Sequence, residues 1–241
     1  MKYLERSFPL RVSECDMSGH WRPGAMLVEM QEAAGAHCEA LNCGRKALDG
    51  LNLAWVVARL ELRILRYPVY GEELTLRTFH RPARHRFFPR FCEVRTREGE
   101  LIALSSGLWL VMDLQTRQSV SGDRLPTQLP DNSDMPEVLP LPKGIEALET
   151  PADVLLRTSA YTDLDANGHV NNTRYVDWLC DALGVETMRE HPPERITIHF
   201  NSEILPERQV EMRLRREGLR FQLEGIQEER KAFEISGELM A

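Results

Sequence analysis

Apolar residues along this chain follow two spacings, and the two spacings come in the same order twice. Met26, Met30, Ala33, His37 and Leu41 recur at intervals of three and four, the signature of one helix face. Leu60-Glu61-Leu62-Arg63-Ile64 then alternates with period two and, after Pro68, resumes as Leu74-Thr75-Leu76, which predicts strands. The order repeats further on. Tyr175, Trp178, Leu179 and Leu183 return to helical spacing, Ile196-Thr197-Ile198-His199-Phe200 alternates, and Val210-Glu211-Met212 follows Pro206. A similar turn precedes each helix, Asp16-Met17-Ser18-Gly19-His20 in the first case and Asp165-Ala166-Asn167-Gly168-His169 in the second.

Between the copies, residues 121–151 hold Pro126, Pro130, Pro136, Pro140, Pro142 and Pro151, which forbids a long helix or central strand. The chain therefore divides into a first domain, 1–120, a Pro-rich linker, 121–151, and a second domain, 152–241. One long helix with a strand meander predicts an α+β unit in which an antiparallel sheet curls around its helix, because the sheet has one apolar face to cover. A repeat of this length is a duplicated domain, longer than the unit of a solenoid.

Composition adds mostly exclusions. With 42% hydrophobic and 28% charged residues the chain is ordinary for a globular protein. Its longest nearly apolar run, Leu101 to Met112, is broken by Ser105, Ser106 and Gly107 and falls short of the roughly 20 residues a spanning helix needs. No membrane association is expected, and MKYLERSFPL lacks the apolar segment of a secretory signal, so a cytoplasmic location is expected. The five cysteines form no CxxC pair and read as reduced, mostly buried thiols. A formal charge of -7 disfavours nucleic acid as the main partner.

The chemistry concentrates in the second turn. Asp163-x-Asp165-x-Asn167-Gly168 has the opening of a calcium loop, but position twelve is Arg174, a cation where the metal's bidentate acid belongs. No metal is expected. Asn171 and Asn172 read as caps of the helix that starts near Thr173. Asp165, Asn167 and His169, at i, i+2 and i+4, would lie on one side of an extended stretch, beside a helix amino terminus able to stabilise an oxyanion. His169 can move protons near neutral pH, Asn167 can orient a carbonyl, and Asp165 can attack or can orient water or imidazole. GxSxG, HExxH, GxGxxG and P-loop patterns are absent. The combination favours acyl transfer or hydrolysis with no cofactor.

One family carries these residues in this order. Asp165, Asn167, His169, Val170, Asn171, Asn172, Tyr175 and Trp178 make the pattern DxNxHVNNxxYxxW. Together with Trp55 to Arg59, Tyr67-Pro68, Gly71-Glu72 and Leu108 to Leu114, they resemble the acyl-ACP thioesterase family, which includes the plant enzymes that end fatty acid synthesis. The resemblance runs through nearly the whole chain. It implies a tandem (double) hotdog, with each half's sheet wrapped around one long helix, and hydrolysis of fatty acyl thioesters on acyl carrier protein.

From the resemblance, Glu203 is the further catalytic carboxylate, expected in the strand after the second helix. Ile204 stands where plant members have a cysteine, which excludes a Cys-His mechanism there. Either Glu203 activates water or Asp165 attacks first to form an acyl-enzyme anhydride. Pairing Leu60 with Ile196 sets Tyr67 opposite Glu203 and Ser18 opposite Asn167, so one active site is expected, in the second domain. An acyl-chain pocket in the first domain would use Met26, Met30 and Ala34, which could equally be plain core. Acyl carrier protein is acidic, so Arg81, Arg84, Arg86 and Arg90 are the docking expectation against the bland reading of a solvated strand pair. Alternatives are an acyl-CoA thioesterase and a non-catalytic acyl-binding hotdog, and a homodimer is left open. Of the three acids in the turn, Asp163 is expected to matter least.

Overall fold

The computed structural model describes all 241 residues. The chain folds into two units, Met1–Trp21 with Met26–Pro142 and Arg22–Ala25 with Lys143–Ala241.

The first unit runs β1 (Leu4–Pro9), α1 (Pro23–Ala40), α2 (Arg45–Asp49), β2 (Leu53–Ile64), β3 (Glu73–His80), β4 (Phe88–Thr96), β5 (Leu101–Asp113) and β6 (Gln118–Val120). The second runs β7 (Asp153–Thr158), α3 (Arg174–Leu183), α4 (Val185–Glu190), β8 (Pro193–Phe200), β9 (Gln209–Glu217), β10 (Arg220–Gln227) and β11 (Arg230–Leu239). Strand order is β1-β3-β4-β5-β2 in the first and β7-β9-β10-β11-β8 in the second, with antiparallel neighbours throughout each. The connectivity is the same twice, the double hotdog.

Helical spacing in the sequence becomes a buried stripe in each unit. In α1 the buried residues include Met26, Leu27, Met30, Ala33, Ala34 and His37. In α3 they are Tyr175, Val176, Trp178, Leu179 and Leu183. Each full-sized apolar side chain so buried contributes about 1.5–3 kcal/mol relative to an exposed one. The Tyr175 ring stacks on Phe233 at 4.5 Å and 13°, and Trp178 meets the same ring edge-on at 6.2 Å. A Cβ at Gly225 would lie 2.0 Å from the Phe233 ring, so glycine is what lets that ring reach the helix.

The Pro-rich stretch has one short 310 turn, Gly122–Arg124, after β6 and is otherwise irregular. It is strapped down rather than free. The buried Asn132 side chain donates to the carbonyls of Lys2 at 2.7 Å and His80 at 2.9 Å, and Ser106 Oγ donates to Pro140 O at 2.6 Å. Leu148 N donates to Gln222 Oε1 at 2.8 Å. All five cysteines are free thiols, with Cys38, Cys43 and Cys92 buried.

Candidate active site

Asp165, Asn167 and His169 sit in a turn, not on one side of an extended stretch. Asp165 Oδ1 accepts the backbone N–H groups of Asn167 at 2.8 Å and His169 at 3.4 Å, and Asp165 N donates to His169 O at 2.8 Å. Gly168, at φ +79, closes the turn with an N–H to Asp165 O at 3.1 Å. The extended geometry fails because a carboxylate at the first position curls the backbone around itself, as in an Asx turn. Asn167 Nδ2 then reaches Asp165 Oδ2 at 3.3 Å. Both oxygens of Asp165 are engaged, which suits an orienting group better than a free nucleophile.

Glu203 lies in the loop after β8, three residues beyond the strand the resemblance suggested. The strand ends because Ala232 O takes the N–H groups of both Asn201 at 2.9 Å and Ser202 at 3.0 Å, which turns the chain out of the ladder. One backbone bond then sets the register of the site: Val170 N donates to Ile204 O at 2.9 Å. The residues before each of these, His169 and Glu203, thereby come together with Nε2 and Oε2 3.5 Å apart. Their side chains keep 30% and 35% exposure, enough to meet water and a substrate. Ile204 itself is fully buried and offers no nucleophile.

Below them lies Tyr175, whose hydroxyl takes a hydrogen bond from the Ile204 backbone. Burial, and then the charges of Asp165 and Glu203, push its pKa well up, so it is a neutral phenol beside two carboxylates.

Asp163 reverses its expectation. It is only 6% exposed and accepts from Ala160 N at 2.9 Å and from the Trp178 indole at 3.3 Å. Its own carbonyl accepts Asn171 N at 2.8 Å. It therefore fastens the turn to α3, and a buried indole N–H in need of an acceptor was the available signal. Asn171 does act at the helix start, its Oδ1 accepting the N–H and the hydroxyl of Thr173, both at 3.0 Å, while Thr173 is the cap position.

Met26, Met30 and Ala34 are all buried on α1. A separate cavity of about 620 Å³ in the first unit is lined by Phe88, Leu125, Leu129 and His80 among others, and by none of those three.

Among the arginines, Arg81 donates to Glu137 at 3.0 Å and to Ser133 O at 3.1 Å, Arg84 to the same Glu137, and Arg86 to Ser119 O at 2.9 Å. Arg90 is not with them. Strand parity places it with Phe88 and Cys92, and it turns inward to donate to His37 Nδ1, Thr78 Oγ1 and Cys38 Sγ, each at 3.2 Å. Burial, with the Arg90 charge next, holds both His37 and His80 down at about 4.

No group of three or more His, Cys, Asp and Glu side chains is arranged to hold a metal ion, and no helix is long and apolar enough to cross a membrane.

Comparison with known proteins gives a consistent picture. The family profile for the acyl-ACP thioesterase N-terminal domain matches residues 1–122, and that for the C-terminal domain matches residues 152–238. Among curated relatives, a chloroplastic dodecanoyl-[acyl-carrier-protein] hydrolase of Cinnamomum camphora is 25% identical over 219 residues, 83% of this chain and 56% of its own length. A chloroplastic oleoyl-acyl carrier protein thioesterase of Coriandrum sativum is 28% identical over 204 residues, 72% of this chain and 52% of its own. The chain thus spans about half the length of the curated relatives it matches. Of solved structures, an acyl-ACP thioesterase from Bacteroides thetaiotaomicron superposes with a TM-score of 0.84 at 20% identity, over 99% of this chain and 98% of that one. The 12:0-ACP thioesterase from Umbellularia californica gives 0.83 at 19%, over 99% and 97%. At such identities these two likenesses concern the fold.

Proposed function

Because the chain belongs to the acyl-ACP thioesterase family, we propose that it hydrolyses fatty acyl thioesters carried on acyl carrier protein, releasing free fatty acid, in the cytoplasm and without a cofactor. The observation that carries this reading is the approach of His169 to Glu203 across two loops joined by a single backbone bond.

In the proposed reaction Glu203 takes a proton from water as the water oxygen attacks the thioester carbonyl carbon. Asn167 uses one N–H on Asp165, leaving its second to orient the carbonyl oxygen. The tetrahedral intermediate collapses with cleavage of the carbon–sulfur bond, and the proton returns through His169 to the departing sulfur. Asp165 holds the turn and forms no covalent intermediate, since its two oxygens already serve Asn167 and the His169 backbone.

Met26, Met30 and Ala34, all buried on α1, would set the length of acyl chain accepted. Arg84 and Arg86, the more exposed of the arginines, would meet the acidic carrier. The test is hydrolysis of a panel of acyl carrier proteins loaded with chains of differing length, beside the matching acyl-CoA thioesters. Release of fatty acid from the carrier-bound series, abolished in Glu203→Gln, is expected. Turnover of acyl-CoA alone, or of neither series, would overturn the reading.

A further inference from the structure

The end of α1 brings two cysteines together. Past Ala40 the backbone turns at Asn42, at φ +56, where Cys43 N donates to Cys38 O at 2.9 Å and Asn42 N to Glu39 O at 3.0 Å. These two bonds make a Schellman stop, which faces the residue after the left-handed position onto the one five before it. An apolar contact commonly fills that place. Here two thiols fill it, and Cys43 hydrogen-bonds to the Cys38 sulfur. The Trp55 indole holds the turn by donating to Cys43 O at 2.8 Å.

Arg90 adds a charge. Its acceptors are His37 Nδ1, Thr78 Oγ1 and Cys38 Sγ, each at 3.2 Å, and none is a carboxylate. Burial, with the Arg90 charge next, holds His37 neutral. Cys38 is therefore the one partner able to carry the negative charge that a guanidinium drawn out of water calls for. The bond from Cys43, together with the Arg90 charge, outweighs burial and holds the Cys38 thiol well below its usual range. The same bond, and then burial, push Cys43 up. A thiolate and a thiol thus lie in contact.

We infer that Cys38 and Cys43 form an oxidation site, where Cys38 reacts with a peroxide and Cys43 closes a disulfide onto it. The Cys38 sulfur attacks one peroxide oxygen, the O–O bond breaks, and the departing hydroxide takes a proton to leave as water. Cys38 is then a sulfenic acid. The Cys43 sulfur displaces its hydroxyl, so that an S–S bond forms, the S–O bond breaks, and the thiol proton leaves with the hydroxyl as a second water. The two sulfurs together lose two electrons, which the peroxide gains. The pair packs against Phe88 and Leu125, which also line the cavity of about 620 Å³, so a small oxidant reaches it through that wall.

The other thiols lack this arrangement. Burial pushes Cys92 and Cys180 up, and Cys15, half-buried, donates to Arg11 O at 3.4 Å with no thiol beside it. Exposure alone would have Cys15 react before Cys38, which is 9% exposed, or Cys43, which is fully buried. The inference does not depend on the chemistry proposed above.

Timed treatment of the folded full chain with hydrogen peroxide, followed by alkylation in denaturant and peptide mass mapping, tests it. Cys38 and Cys43 should be lost first, as a linked pair lighter by two hydrogens, with Cys15 still alkylated. Cys43→Ser should halt Cys38 at the sulfenic acid, which dimedone captures. Arg90→Gln, folded by circular dichroism, should oxidise about tenfold more slowly at pH 7. Oxidation of Cys15 first, a Cys43→Ser chain with no dimedone adduct at Cys38, or an Arg90→Gln chain that reacts as fast as the wild type would each overturn the proposal. If Arg90→Gln does not fold, the order of loss in the wild type and the Cys43→Ser adduct decide.

Discussion

The turn Asp16–His20 and the turn Asp165–His169 have the same backbone. Asp16 Oδ1 accepts Ser18 N at 2.8 Å and His20 N at 3.0 Å, where Asp165 Oδ1 accepts Asn167 N at 2.8 Å and His169 N at 3.4 Å. The glycine in each has φ +79. Trp21 N donates to Pro68 O at 2.9 Å, as Val170 N does to Ile204 O. That bond brings Tyr67 beside His20, ring centroids 6.4 Å apart and edge-on, where the second unit brings Glu203 beside His169. The aspartate and the histidine therefore belong to the scaffold of both turns. What separates an imidazole–carboxylate pair from an aromatic one is Glu203 in place of Tyr67, together with Asn167 in place of Ser18.

The largest expected effect divides the two histidines. His169→Ala should lower kcat by about 10²- to 10⁴-fold, the usual worth of a positioned acid–base group, while His20→Ala changes it by less than about threefold. Equal losses in the two variants would remove the distinction.

A second effect concerns two buried histidines of the first unit, His37 and His80, which are held neutral. Both fold with pKa values of about 4, below the 6.5 of an unfolded histidine. The unfolded chain binds more protons between those values, so their contribution is complete above pH 6.5 and is lost as pH falls towards 4. Each should cost about 2–3 kcal/mol by pH 4, seen as a falling denaturation midpoint that His37→Gln with His80→Gln flattens.

Smaller and equal losses are expected at the paired aspartates. Asp16→Ala and Asp165→Ala should each destabilise by about 1–2 kcal/mol in chemical denaturation, since each strands two backbone N–H groups. Hydroxylamine added during turnover should give no more acyl hydroxamate than the thioester forms with hydroxylamine alone. An enzyme-dependent excess that Asp165→Asn abolishes would make Asp165 a nucleophile and break the likeness of the turns. Least of all, reversing the charges of Arg84 and Arg86 should raise KM for acyl carrier protein by about threefold to tenfold while leaving kcat unchanged, as rim charges act mainly on encounter.

Much of this is legible in the sequence because duplication leaves two readings of each element. Spacing at 26–41 and 175–183 locates both helix faces, and aligning Leu60 with Ile196 matches Tyr67 to Glu203 without any geometry. The misses have physical causes. Arg90 reads as surface because it lies in a run of arginines, yet strand parity turns it towards His37. Asp163 reads as dispensable because a carboxylate's burial is set by a partner, here the Trp178 indole, that is distant in the chain. The turn at Asp165 reads as extended because side-chain-to-backbone bonds at i+2 and i+4 leave no periodic trace.

Single-turnover hydrolysis of an acyl carrier protein thioester by Glu203→Gln and Tyr67→Phe, side by side with the wild type, tests the asymmetry most directly. The rate constant of Glu203→Gln should fall by about three orders of magnitude and that of Tyr67→Phe by less than about threefold. A Glu203→Gln chain that retains its rate, or a Tyr67→Phe chain that loses as much, would contradict a single catalytic site built on His169 and Glu203.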